Sequence, residues 1–219
     1  MSNRIRKNQA HLTESEWDKF IYAVKEIKKN GTVSPTYSEF ANAHTMARHQ
    51  GTAHRYPEFL PWHREYLLTF ENRIREIEPD VTIPYWDWLR NRTMPPKLGN
   101  PQEWGVRRDL QINDPVTNLE TLVSRANGTN SFLEFVTIIN GPHGTIHVDI
   151  GGEMGEIQNS PKDVLFWLHH CFLDKLWYDW QKKNPGTEPD MSAPLLPTDL
   201  FSHSGNDVIN IDDLGYEYE

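Results

Sequence analysis

The sequence predicts a mainly α domain, with a helical bundle at its centre, long irregular connections and little strand. Two observations carry this. Apolar residues recur at helical spacing in several segments, most of them opened by a capping signal or closed by Gly or Pro. Between those segments prolines crowd the chain, above all over residues 79–116, where Pro84, Pro95, Pro96 and Pro101 exclude a long helix. The length of 219 residues suits one compact domain, since domains hold about 100–200 residues. No repeat or linker divides the chain, so residues 1–219 are expected to form a single unit.

The elements follow in order. Thr13 and Glu16 make a capping box, and Trp17, Phe20, Ile21, Val24 and Ile27 fall behind it on one helical face. Asn30-Gly31 is the expected stop. Tyr37, Phe40, Ala41 and His44 suggest a short second helix, followed by a polar stretch from Arg48 to Pro61. A third helix is expected from Pro61 to Pro79. The proline-rich connection after it contains the aromatic knot Tyr85-Trp86-Asp87-Trp88. A modest helix over 117–126 precedes an apolar stretch, Phe132 to Ile139. Asn140-Gly141-Pro142 is expected to break the chain, with Pro142 opening a new helical turn that carries His143 and His147 and ends at Gly151-Gly152. Ser160-Pro161 starts the last helix, which runs to Gln181 or beyond. The tail from 187 is expected to wrap over the core as loop or short strand.

Composition removes several functions. Asp and Glu outnumber Lys and Arg by 31 to 22, so no basic face offers itself to nucleic acid. One cysteine rules out an intrachain disulfide framework and a Cys-ligated iron–sulfur cluster. No apolar run approaches the ~18 residues that would suggest a membrane span, and the N-terminus lacks a secretory h-region. The expected location is the cytoplasm, with export alongside a partner protein as the alternative.

Ten histidines remain to be explained. His143 and His147 are four apart, so both imidazoles share a helix face. His169-His170 interrupt an otherwise apolar helix, where unpartnered imidazoles are costly. Asp174 lies four residues past His170 and is placed to accept the second ring N–H of a metal-bound His170. In the first half, His44, His54 and His63 give one loop and two helical imidazoles. Two groups of three histidines fit two metal ions facing each other. Nitrogen ligation favours copper, zinc, nickel or iron over magnesium and calcium. Spacing alone does not choose between one zinc and two coppers. It argues against a di-iron carboxylate bundle, because the chain has no Glu-x-x-His.

These residues resemble a known family. The run from His54 to Glu65 (HRYPEFLPWHRE) looks like the first copper motif of tyrosinases, and Pro84-Tyr85-Trp86-Asp87-Trp88 like the segment that follows it. His143-x-x-x-His147, Gly151-Gly152, the run from Asp163 to His170 and Asp174-Lys175-Leu176-Trp177 resemble the second copper motif. Arg6-Lys7-Asn8-Gln9 resembles the start of bacterial members, and Leu214 to Tyr218 the tyrosine motif that closes the catalytic domain. The resemblance implies a four-helix bundle core holding a type 3 dicopper centre. His44, His54 and His63 would bind one copper; His143, His147 and His170 the other, with His169 beside the site. It implies that O2 is used to oxidise o-diphenols to o-quinones and to hydroxylate monophenols at the ortho position.

Departures from the family pattern shape the expectation. Cys171 sits beside His170, so the Cys–His thioether of fungal and plant relatives is absent. Gly144 follows the first histidine of the second motif, where many tyrosinases have Asn to help hold a proton-accepting water. Weak monophenol activity is therefore expected. Glu134 is a candidate acidic partner for that water, and Ile157 a candidate gate over the metals. The resemblance stops near the tyrosine motif, so no C-terminal lid is expected, and a separate copper chaperone is a candidate partner. The alternatives are a haemocyanin-like O2 carrier on the same six histidines, an o-aminophenol oxidase, and a zinc hydrolase that uses one triad.

Overall fold

Eight α-helices and one two-stranded sheet are found among the residues that the computed structural model describes, 4–29, 33–51, 53–111 and 116–219. The expected stop at Asn30-Gly31 lies outside those residues. Helix α1 (Glu14–Lys29) starts at the capping box: Thr13 Oγ1 accepts the Glu16 N–H at 3.2 Å, and Glu16 accepts the Thr13 N–H at 2.8 Å. Its apolar face, Trp17, Phe20, Ala23, Val24 and Ile27, is buried. Helix α2 (Tyr37–Gln50) runs further than expected, into the polar stretch, and gives way to Gly51 at φ +74°, a left-handed position that glycine fills without strain. Helix α3 (Phe59–Arg75) begins two residues before Pro61. Pro61 is tolerated there because first-turn N–H groups have no helical partner to lose.

The proline-rich connection holds only a 3-10 turn and the short helix α4 (Pro101–Trp104). Helix α5 (Val116–Asn127) packs against α6 (Phe132–Ile150). The expected break at Asn140-Gly141-Pro142 does not occur: α6 is continuous, with Pro142 inside it. The physical reason is Gly141. Proline disfavours a helical residue before it partly through that residue's Cβ, and glycine has none. Helix α6 does end at Gly151-Gly152, both at positive φ, where a Cβ would run into the backbone of Arg107 and Asp109. The short α7 (Gly152–Gly155) follows. Helix α8 (Leu165–Gln181) starts later than expected, because Asp163 is extended after a 3-10 turn at Ser160–Lys162. Asp163 then caps α8 through the Leu165 N–H at 3.0 Å and takes Arg108 Nε and Nη2 at 2.7 and 2.8 Å.

Helices α3 and α8 are buried nearly all round and form the centre, with Phe70 stacked on Trp167 at 3.7 Å. Such helices belong to a core rather than a surface. The chain ends meet: strand β1 (Arg4–Arg6) pairs in parallel with β2 (Tyr216–Tyr218). Among the described residues, no helix is long and apolar enough to cross a membrane.

Candidate metal centre

Helices α2, α3, α6 and α8 bring the histidines together. His44 comes from α2, His63 from the first turns of α3, and His54 from the loop between them; their ligand nitrogens lie within 4.8 Å of one another. His143 and His147 come from α6, and His169 and His170 from α8, again within 4.8 Å. The two sets face each other. The His63 and His170 rings stack at 4.2 Å, and His143 lies 6.4 Å from both His54 and His63.

Hydrogen bonds fix where the ring protons sit. Nδ1 of His63 lies 2.8 Å from the Phe59 carbonyl, and Nδ1 of His147 2.8 Å from the Met154 carbonyl. A carbonyl oxygen only accepts, so each ring carries its proton on Nδ1 and keeps a lone pair on Nε2. His143 gives its Nδ1–H to Asn140 Oδ1 at 3.1 Å in the same way. Among the described residues, Nε2 of His63 and of His143 then has no protein partner, nor does either nitrogen of His44 within bonding geometry. Nε2 of His147 and of His170 approach each other to 3.3 Å.

Burial keeps these rings neutral. It holds His44, His63, His143 and His170 well below the usual histidine range, helped by the neighbouring imidazoles. It pushes His147 down to about 4. Neutral imidazoles have lone pairs to give, so the two sets fit two nitrogen-ligated ions. Aromatic rings hold them in place: Trp62 lies 4.9 Å from His63 and 5.7 Å from His44, and Phe166 lies 4.1 Å from His170. The large surface grooves lie elsewhere. One of about 450 Å³, lined by Pro35, Glu39, Met46 and Arg73 among others, contains no histidine.

The chain matches the family model for the common central domain of tyrosinase over residues 34–125 and 107–183. It is 33% identical to a tyrosinase of Streptomyces glaucescens, over 95% of this chain and 99% of that one. The chain belongs to the tyrosinase family. A Streptomyces antibioticus tyrosinase is 32% identical over 88% of this chain and 86% of its own length. Among solved structures, a functional unit of octopus haemocyanin shares the fold, with a TM-score of 0.80 at 22% identity over 98% of this chain and 68% of that one. The protein is therefore a copper-dependent phenol oxidase, and its family's centre is binuclear and works with O2.

Other sequence expectations fare differently. Asp174 does not touch His170. Its carboxylate takes Arg64 Nε at 2.5 Å, Arg6 Nη1 at 3.3 Å, and the hydroxyls of Tyr216 and Tyr218 at 2.7 and 2.6 Å. Two guanidiniums outcompete a neutral imidazole for a carboxylate, because bonds between charged groups are the stronger ones. Nδ1 of His170 is left without a partner among the described residues. Glu134 is exposed in the first turn of α6, and nine residues of helix set it about half a turn out of phase with His143. Gly144 is on α6 beside His143, with open space where a side chain would go. Ile157 is exposed, with its backbone near His44 but outside bonding geometry. His169 accepts the indole N–H of Trp88 at 3.1 Å. Sequence reasoning placed Trp88 only in the packing; its signal was a buried His-His pair in need of partners, facing a loop with two tryptophans.

Proposed function

We propose that His44, His54 and His63 hold one copper ion and His143, His147 and His170 the other, and that the centre favours o-diphenols, oxidising them to o-quinones, over the ortho-hydroxylation of monophenols. One observation carries the reading: His63, His143 and His147 give their Nδ1–H to oxygen acceptors, which leaves three Nε2 lone pairs in the two facing sets. Two copper ions held together supply a two-electron exchange with O2 and with a catechol. The residues of the chain do the rest. Neutral imidazoles suit both oxidation states of copper, and the aromatic packing keeps the rings in place.

Ile157, exposed beside His44, forms an apolar edge where a phenol ring enters. Hydroxylating a monophenol requires a group that takes its proton. Gly144 has no side chain for this, and Glu134 sits on another face of α6. The substrate is a small phenol or catechol. Copper delivery by a separate chaperone protein and residence in the cytoplasm belong to the same reading.

The test is reconstitution with copper, followed by metal analysis and rates on a catechol and its monophenol. Two coppers per chain and faster catechol turnover are expected; one copper or none overturns the ligand assignment. Gly144→Asn should raise the monophenol-to-diphenol ratio several-fold, since a Cβ there meets no heavy atom within 4 Å. An unchanged ratio removes that role from the position.

A further inference from the structure

Helix α8 offers two adjacent imidazoles to one metal-binding space. Distance does not choose between them, because nitrogens of His143, His147, His169 and His170 all lie within 4.8 Å of one another. Both α8 rings are buried. We propose that Trp88 makes the choice: it gives its indole N–H to Nδ1 of His169 and so withdraws that ring from the metal. The inference rests on His143, His147 and His170 being the ligands of the second copper.

The donor lies 3.1 Å from Nδ1, with both groups buried. An indole N–H only donates. Nδ1 of His169 must therefore accept with its lone pair, and the neutral ring carries its proton on Nε2. Neither nitrogen then has a lone pair for an ion. As placed, the His169 Nε2–H has no acceptor among the described residues, and flipping the ring would put a C–H group against the indole N–H and strand that buried donor as well. His170 is held differently. Its Nε2 faces Nε2 of His147, whose proton is fixed on Nδ1 by the Met154 carbonyl. That shared approach suits two ligands of one ion.

Trp88 is also anchored. It is fully buried and edge-on to Phe172 at 5.0 Å. Two residues earlier, the Trp86 N–H donates to the Leu168 carbonyl at 3.1 Å, which ties the loop to α8 one residue before His169. The indole thus acts as a positioning residue: it sets the number of nitrogen ligands without touching metal or substrate. A fourth imidazole would fill the position that a three-histidine site keeps open.

Two measurements test this. In the metal-free protein, nitrogen-15 NMR of labelled histidines should show His169 with its proton on Nε2; a proton on Nδ1 overturns the proposal whatever the variants do. Cobalt(II) is the second probe, because its visible absorption weakens as its coordination number rises. Trp88→Phe keeps a ring and removes the donor. It should lower the absorption per bound cobalt and slow diphenol turnover several-fold. Trp88→Phe/His169→Phe should restore the cobalt spectrum, since the competing ligand is gone. A single variant with an unchanged spectrum, or a double variant as altered as the single, overturns the proposal. Wild-type protein that fails to take up two coppers instead overturns the ligand assignment, so the two failures are distinguishable.

Discussion

At His170, α8 faces a set of imidazoles with ring nitrogens left over. At Asp174, one turn further on, it faces two guanidiniums and two phenols that leave little over. Arg64 is almost fully engaged: besides Asp174 it bonds the Val208 and Ile209 carbonyls and Gln181, and it lies 3.7 Å over the Trp177 ring. Arg6 bonds Glu71 at 2.9 Å and lies 3.7 Å over the Tyr216 ring. Among the described residues, Arg6 Nη2, Glu71 Oε1 and the Trp177 indole nitrogen lack a hydrogen-bonding partner there, whereas the histidine sets leave His44, His63, His143, His169 and His170 with unmet nitrogens. Both clusters are buried and polar, on the same helix. The difference teaches how to tell them apart: a polar cluster that satisfies itself fastens the fold, and one that does not is shaped for a guest.

The largest test of that contrast is Asp174→Asn. It strands two buried guanidiniums and should cost about 3–5 kcal/mol of stability, read by urea unfolding, while folded protein still takes up two coppers. A loss below about 1 kcal/mol would mean that the fastening cluster is dispensable. His44→Phe should act in the opposite sense. Neither nitrogen of His44 has a partner of bonding geometry, so an apolar ring should stabilise the metal-free protein by about 1–3 kcal/mol and lower copper uptake from two ions to one. A destabilised variant would show that the site is not under strain without metal.

A third test is in pH. His147 titrates at about 4 in the fold against an ordinary 6.5. Between those values the unfolded chain binds the proton and the fold does not, so metal-free protein loses stability as pH falls through that window. Asp174 behaves otherwise. Burial pushes its carboxyl up, but Arg64 and Arg6 hold it below the ordinary 3.8. Its contribution is present above 3.8 and is lost only as pH falls through the lower folded value. Melting temperatures of the metal-free protein should therefore begin to fall near pH 6.5, and the His44→Phe variant should show a shallower slope. A flat profile down to pH 5 would break the contrast.

Local chemistry was legible in the sequence, and distant partnership was not. The capping box at Thr13, the stop at Gly151-Gly152 and the shared face of His143 and His147 are all short-range signals, and each has its counterpart in the fold. The continuity of α6 was missed because Pro142 was weighed without the missing Cβ of Gly141. Spacing could suggest two histidine sets, but the choice of copper came from whole motifs. The partners of Asp174 were out of reach: Arg64 is 110 positions away and Arg6 168. Trp88 is likewise 81 positions from His169, and no periodicity links the two.

The pairing of β1 with β2 can be weighed as polymer physics. Tyr218 and Arg6 are 212 positions apart, so their contact closes nearly the whole chain into a ring. The entropy of closing a ring rises only as the logarithm of its length, about 0.6 kcal/mol for each doubling. Three residues per strand can therefore hold a circuit this long, provided the helices have already drawn the ends together. Contacts of such long range are also slow to form. The sheet that joins the two chain ends is therefore expected to form late in folding.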